Sequence, residues 1–466
     1  MFQNKLINHL SKLQRKEFTR FAHFIQSPYH NKHKDVLSLV TYLGKIYPDF
    51  KEKNCHRDTI IRKAFQGKIS IKQLAVIFTY TYNLLHKFYR LEAFMSNEEE
   101  QDLVLLDELK NLNNKSLFYE VLGKRINNTL GSYNNYRIEK TRESFENSLG
   151  NVTSQHQFLQ KQAYLDHFFF LEKIHAFCEA VTLSRITKES YNLNNDEAFL
   201  NLIKPEAKHN EDLLIYLTTY ETITDQREFN DGLTIIQSIE EKLKIVKAEE
   251  IYNLLQNYCI YRINNGDKIF LSHAFAIYKA QLNRDFLFIE DVLPDGHYKN
   301  ITTTGLREKA FDWTFEFIHK YRHRLPTDIA ETAYNFNLAN YYLATGDAEE
   351  AMNLLRLIDS KDLRYVLATR ALQIRIFYEQ EEYEALSNLS STFKKFLSRN
   401  KQLNDRRIEG FLNLLNLTLA CAKYRSEKDY RRKEKNIAVL EKIKLKLQES
   451  SILVNRSWVE GIINTL

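Results

Sequence analysis

Apolar residues recur three and four positions apart through most of the chain, the spacing of one face of an α-helix. Between residues 11 and 24, Leu13, Phe18, Phe21 and Phe24 fall on one side and Arg15, Lys16 and Arg20 on the other, and Ser27-Pro28 ends the segment. The pattern resumes with Val36, Leu39, Val40 and Leu43, then in IIRKAF, then from Ser70 through Phe94, so four or five helices fit into the first 94 residues. The middle is alike: HFFFLEKIHAFCEAVTLSRI, DLLIYLTTYETI, LTIIQSIEEKLKIV and IYNLLQNYCIYRI each predict a helix with a broad apolar face. EDVLPDGHYKNITTTG, residues 290 to 305, reads instead as a long loop.

The stretch LANYYLATGDAEEAMNLL, residues 338 to 355, predicts two helices around a Gly-Asp break. Asp328 with Glu331 forms a capping pair for the first helix, Gly346 stops it, and Asp347 with Glu350 opens the second. Ala339 and Ala351 are small enough to let the helices approach, while Leu338, Tyr342, Leu354 and Leu355 supply apolar surface. The set Leu338, Ala339, Tyr342, Gly346 and Ala351 resembles the tetratricopeptide repeat. Thirty-four residues on, Leu372, Ile376, Gln380 and Ala385 repeat Leu338, Tyr342, Gly346 and Ala351, although the second turn lacks its Gly. An earlier echo, NYCIYRINNGDKIFLSHAF, carries a Gly-Asp turn at 266 and 267, off that period. The resemblance covers about 325 to 397 and implies stacked helix hairpins, with Ala351 and Ala385 buried where helices meet. The N-terminal FAHFIQSPYHN, through Phe21, Phe24, Ser27, Pro28, Tyr29 and Asn31, is similar to the opening of some uncharacterised bacterial helical proteins, a likeness that carries no function. Packing explains it equally: the two Phe are core, Ser27-Pro28 ends a helix and Asn31 caps the next.

Composition strengthens the all-α reading. Twelve Gly and five Pro in 466 residues leave too few turn residues for a sandwich or barrel. A chain of this length exceeds a single core, so it must divide or extend. The expected architecture is an extended α-solenoid of antiparallel helix hairpins, tetratricopeptide-like in its C-terminal third, with about two dozen helices if each takes about 20 residues with its loop.

Charge divides the chain. Residues 1–91 hold 17 Lys/Arg against 5 Asp/Glu, and residues 394–446 hold 16 against 6, so the remainder is net acidic. The change near residue 92 is abrupt, with seven acids in EAFMSNEEEQDLVLLDE, and SNEEEQD is the expected linker. The organisation expected is a basic segment over 1–91, an acidic helical-hairpin region over 92–324, and repeats with basic final helices over 325–466, continuous as one solenoid. In KYRSEKDYRRKEKNIAVLEKIKLKLQE, Lys428, Arg432, Lys435, Lys442 and Lys446 fall within an arc of about 80° if the helix is continuous. Glu427, Glu434 and Glu441 mark a second side, and Ile437, Leu440, Ile443 and Leu447 an apolar third. These cations, with Arg431 and Lys433, are the candidate polyanion-binding residues; a solvated face of a docked helix is the plainer reading.

Candidate chemistry is thin. Cys55, Cys178, Cys259 and Cys421 lie at least 81 positions apart with no C-x-x-C, which argues against a disulfide framework or zinc ribbon. The first 16 residues lack the apolar run of a signal peptide, and LAVIFTYTYNLL (74–85) is too short and polar to span a bilayer, so a cytoplasmic location is expected. His319 and His323 with Glu316 offer three metal-ligand types, but they sit at a helix C-terminus, where cationic side chains suit the dipole. His23, His30, His33 and Cys55-His56 match no zinc spacing, and His175 with Cys178 stands in an aromatic-rich segment that reads as core. GKIS (67–70) lacks the upstream Gly of a phosphate loop, and no dinucleotide, zincin or nucleophile-elbow motif occurs. Residues 57–88 could form a helix-turn-helix, yet Leu74, Val76, Ile77, Phe78, Tyr80, Leu84 and Leu85 leave the second helix little polar surface for bases. The expectation is a non-catalytic scaffold or adaptor with no cofactor, whose partner is a protein or peptide and not a membrane; binding of nucleic acid or another polyanion by the basic ends ranks second.

Overall fold

The computed structural model describes residues 4–126, 132–189, 191, 196–242 and 248–466. Among them it contains 24 α-helices, two short 3₁₀ segments and no strand; one isolated bridge joins Ile289 and Val292. The protein is all-α. Its helices gather into two compact units, Met1–Glu172 and Lys173–Leu466.

The first unit comprises α1 (Lys5–Leu10), α2 (Arg15–Gln26), α3 (Lys34–Ile46), α4 (Glu52–Cys55), α5 (Arg57–Phe65), α6 (Ile71–Met95), α7 (Glu98–Asn111), α8 (Lys115–Ile126), α9 (Ser132–Ser148) and the start of α10 (Gln155–Thr187). Helix α6 is the spine, because α1, α2, α3 and α5 all pack on it. Its start is fixed by a reciprocal cap in which the Ser70 and Gln73 side chains each bond the other's backbone N–H. The core beneath holds Phe18, Phe21, Phe24, Leu39, Leu43 and Leu85. Asn31 departs from expectation: His33 is the N-cap of α3, and the buried Asn31 amide instead donates to Ile25 O at 3.0 Å and His33 O at 3.2 Å. It satisfies a carbonyl orphaned at the end of α2 and braces the turn. SNEEEQD is not a linker. Asn97 caps Glu100 N at 3.0 Å, and Glu98, Glu99 and Glu100 form the first turn of α7, where negative charge suits the helix dipole.

The second unit holds the rest of α10, then α11 (Asp196–Ala207), α12 (Glu211–Ile223), α13 (Phe229–Lys242), α14 (Ala248–Asn264), α15 (Phe270–Asn283), α16 (Asp295–Arg307), α17 (Phe311–Tyr321), α18 (Ala330–Thr345), α19 (Ala348–Arg356), α20 (Leu363–Glu379), α21 (Tyr383–Arg399), α22 (Asp405–Glu427), α23 (Lys433–Glu449) and α24 (Arg456–Asn464). From α14 onward each helix packs on its successor, and α16, α18, α20, α22 and α24 each pack on the next of that set. The compact units part within α10, not at residue 92 or 325.

Two local expectations fail here. Residues 295–307 are helix, not loop. Burial of Tyr298, Ile301, Thr302 and Gly305 outweighs the weak propensity of the Thr run, and Thr302, Thr303 and Thr304 each donate to the carbonyl four residues back. Asp328 does not cap α18, which begins after Ile329, and Glu331 pairs with Arg322 at 2.7 Å instead. The next turn is as read: Gly346 ends α18 at φ 96°, a left-handed conformation open to glycine, and Asp347 caps Glu350 N at 3.0 Å. Leu338, Ala339, Ala351, Leu372 and Ile376 are buried, Tyr342 is half-buried, and Gly346 is exposed in its turn. In the second copy Ala385 is only half-buried, the neighbouring Leu386 is fully buried, and Glu381 adopts the left-handed turn conformation at φ 60°.

Candidate functional site

A groove of about 890 Å³ opens in the second unit between the end of α10 and one face of α14. Arg185 forms its floor. The guanidinium lies 4.9 Å from the Tyr258 ring centre and 4.5 Å from that of Tyr261, and it donates to the carbonyl of Ile223 at the end of α12. Burial lowers the Arg185 pKa, against the pull of the two tyrosines and Asp225. Tyr258 donates to Asp225, which also pairs with Arg262; burial first, then that bond, pushes the phenol up to about 12. Arg262 is held in turn by Asp267 at 2.7 Å. This network fixes the floor, and the rim above it carries Lys188, Asn257, Asn264 and Asn265. Among the described residues of this lining, Arg185 and Lys188 are the only side chains that carry charge near neutral pH, and both are cations. The groove therefore offers amide hydrogen bonds and positive charge, which suits a polypeptide backbone or carboxylate better than acid-base chemistry.

The residues singled out for chemistry lie elsewhere. His319 is near the end of α17 with Nδ1 2.8 Å from Phe315 O, whereas His323 falls in the 3₁₀ segment Arg322–Arg324, so the two do not share one helix. Among the described residues no three His, Cys, Asp or Glu side chains converge as a metal site. Cys178 is fully buried and burial raises its thiol, the wrong direction for a nucleophile; His175 instead lies 3.5 Å from Glu250. Cys55, Cys259 and Cys421 are likewise buried and free, with thiols raised by burial. Among the described residues no helix is long and apolar enough to cross a membrane.

The basic stripe near the C-terminus is broken. Helix α22 ends at Glu427, Lys428–Tyr430 is 3₁₀, and α23 begins at Lys433, so the continuity required for a single face is absent. Arg431 is drawn inward and paired with Glu427. Lys435, Lys442 and Lys446 do share one flank of α23, while Lys433 and Lys444 lie on the other side of its packed face. Ile443 anchors that face, Leu440 and Leu447 are half-buried, and Ile437 is exposed. Lys428, Arg432, Lys433, Lys435, Lys442 and Lys446 are exposed and form no ion pair with a described residue.

Arg185, Tyr258 and Tyr261 drew no notice in the sequence. The available signal was polar: Asn253, Asn257 and Asn264 recur along one side of a helix whose remaining residues are largely apolar. Comparison with protein-family models, curated proteins and solved structures finds no match to the chain.

Proposed function

We propose that the protein is a non-catalytic interaction scaffold whose second unit is an α-solenoid of antiparallel helix hairpins, tetratricopeptide-like over about 325–397. The supporting observation is the packing from α14 to α24, in which each helix meets the next and α16, α18, α20, α22 and α24 stack in succession, together with an open groove on α14 lined by amides and cations. Such stacking leaves one helix of each pair facing a common surface, and the groove at Arg185, between α10 and α14, is the surface equipped to hold a peptide. Cytoplasmic work fits four unpaired cysteines.

The test is site-specific photocrosslinking in the native cell, with a benzophenone amino acid at Asn257 or Asn264 and, as control, at the exposed Thr345 at the end of α18, outside the groove. A discrete protein adduct confined to the groove positions is expected. Equal adducts at Thr345 would remove the groove from the argument. Turnover of an ester, phosphate or nucleotide panel, lost on changing one residue, would overturn the scaffold itself. A second reading, polyanion binding, rests on the exposed unpaired cations of α23 and the segment before it. It requires submicromolar, length-dependent RNA or DNA binding at physiological salt that falls steeply with salt and is lost when Arg432, Lys435, Lys442 and Lys446 become Glu. Weak binding is expected.

A further inference from the structure

The first unit carries a separate groove of about 780 Å³, walled by Lys5 and Leu6 of α1 and by His56 and Arg57 at the start of α5. Its floor is one side of α6, formed by Ile71, Leu74, Ala75 and Phe78. Ile71 is 49% exposed, so a large aliphatic side chain stands open beside two cations. The same side of α6 continues past the groove. Tyr82 lies 5.7 Å from the His9 ring and 4.4 Å from that of His86, and the exposed Tyr89 follows one turn later. From Ile71 to Tyr89 the helix rises about 27 Å, the length of about eight extended residues. A small molecule would fill only one end of that track.

Charge narrows the occupant. Neither Lys5 nor Arg57 forms an ion pair with a described residue, and Asp58, which follows Arg57, is 3.5 Å from His56. The surrounding segment 1–91 holds 17 Lys/Arg against 5 Asp/Glu, so cations outnumber acids around the rim. A polynucleotide would satisfy the cations but has no aliphatic groups to cover Ile71 and Ala75. We propose that this groove docks an acidic peptide segment of a partner protein, its carboxylates meeting Lys5 and Arg57 and its apolar side chains covering Ile71 and Ala75. The contact uses residues that do not enter the groove at Arg185, and it stands or falls separately.

Fluorescence anisotropy with the full chain tests it. The probes are fluorescein-labelled peptides of about 12 residues pairing Glu with Leu and Phe, their Lys-for-Glu counterparts, and a single-stranded RNA of similar length, all at about 150 mM salt. The acidic peptides should bind and the basic ones should not. Lys5→Glu with Arg57→Glu should weaken binding about tenfold, and Ile71→Asp should do the same through the floor. All three side chains are exposed, so the melting midpoint should stay unchanged, and Lys361→Glu in the second unit should leave the affinity as it was. Absence of binding by the wild type, or affinity indifferent to both the rim and the floor variants, overturns the proposal. RNA bound more tightly than the acidic peptides and lost in Lys5→Glu/Arg57→Glu would replace it with a nucleic-acid site.

Discussion

At Gly305 two helices pass too close to admit even a methyl group between them. Gly305 is buried in α16, and a Cβ built there would lie 2.3 Å from Thr314 Oγ1 of α17 and 3.4 Å from Cε2 of Phe275. Thr314 is itself fully buried and its hydroxyl donates to Ala310 O at 2.7 Å. To admit a methyl group, Thr314 must rotate and abandon that bond, or α16 and α17 must separate. Either route costs about 1–3 kcal/mol. Alanine in a helix interior returns about 0.5–1 kcal/mol of that, so Gly305→Ala should destabilise by about 1–2 kcal/mol. In a Thr314→Ala background the hydroxyl is gone and the nearest atoms are Phe275 at 3.4 Å and the residue 314 Cβ at 3.5 Å, ordinary contacts. There the same substitution should be neutral or stabilising by about 0.5 kcal/mol. Urea unfolding followed by tryptophan fluorescence reads the effect directly, because both tryptophans, Trp313 and Trp458, belong to the second unit. Equal destabilisation by Gly305→Ala with and without the Thr314 hydroxyl would refute the steric account; so would no change in either background.

Ala351 is fully buried beside Met352, Leu354 and Leu355, and Ala351→Phe should cost about 1–3 kcal/mol by overpacking, read as a lower urea midpoint; an unchanged midpoint contradicts the tight packing of α18 and α19. Burial holds His273 and His297 below the ordinary 6.5, so as pH falls the unfolded chain takes up their protons first. Their contribution is intact above 6.5 and is lost as pH drops from there towards the depressed folded values; the melting midpoint should fall over that window, and less steeply in His297→Gln. All four cysteines are buried, so a thiol reagent should label the native protein only at the rate of unfolding and label four equivalents at once in denaturant; rapid native labelling would disprove their burial.

Helix identity was written in the apolar spacing, and where that spacing was clean the structure follows it. Val36, Leu39, Val40 and Leu43 are all buried on α3, and Leu74, Ile77, Leu84 and Leu85 on α6. The errors arose where two physical effects leave the same mark. Acidic residues in Glu98–Glu100 raise local charge, as a linker would, but they are also the residues a helix N-terminus prefers. The Thr run at 302–304 has poor helix propensity, yet tertiary burial of Tyr298 and Ile301 overrides it, and no local pattern announces that Phe275 and Thr314 will cover Gly305. Ala385 illustrates a smaller slip: the period locates the hairpin, but at a turn without glycine Leu386 takes the fully buried place.

Surface chemistry was less legible than the fold because direction, not identity, decides it. Arg431 and Arg432 are adjacent and chemically alike, and the helical arc that set Arg432 apart assumed a continuous helix. The break between α22 and α23 turns Arg431 back onto Glu427, where its charge is matched, and leaves Arg432 in solvent. The excess of cations over residues 1–91 was plain by counting, but counting does not say that Lys5 and Arg57 will flank the one exposed isoleucine at the start of α6. Arg185 and Tyr258 are separated by 73 residues, and their stacking exists only once α10 and α14 have been brought side by side. A charge total constrains the class of ligand; a ligand site requires unpaired charges beside an apolar surface of the right length, and that coincidence belongs to the packing of helices.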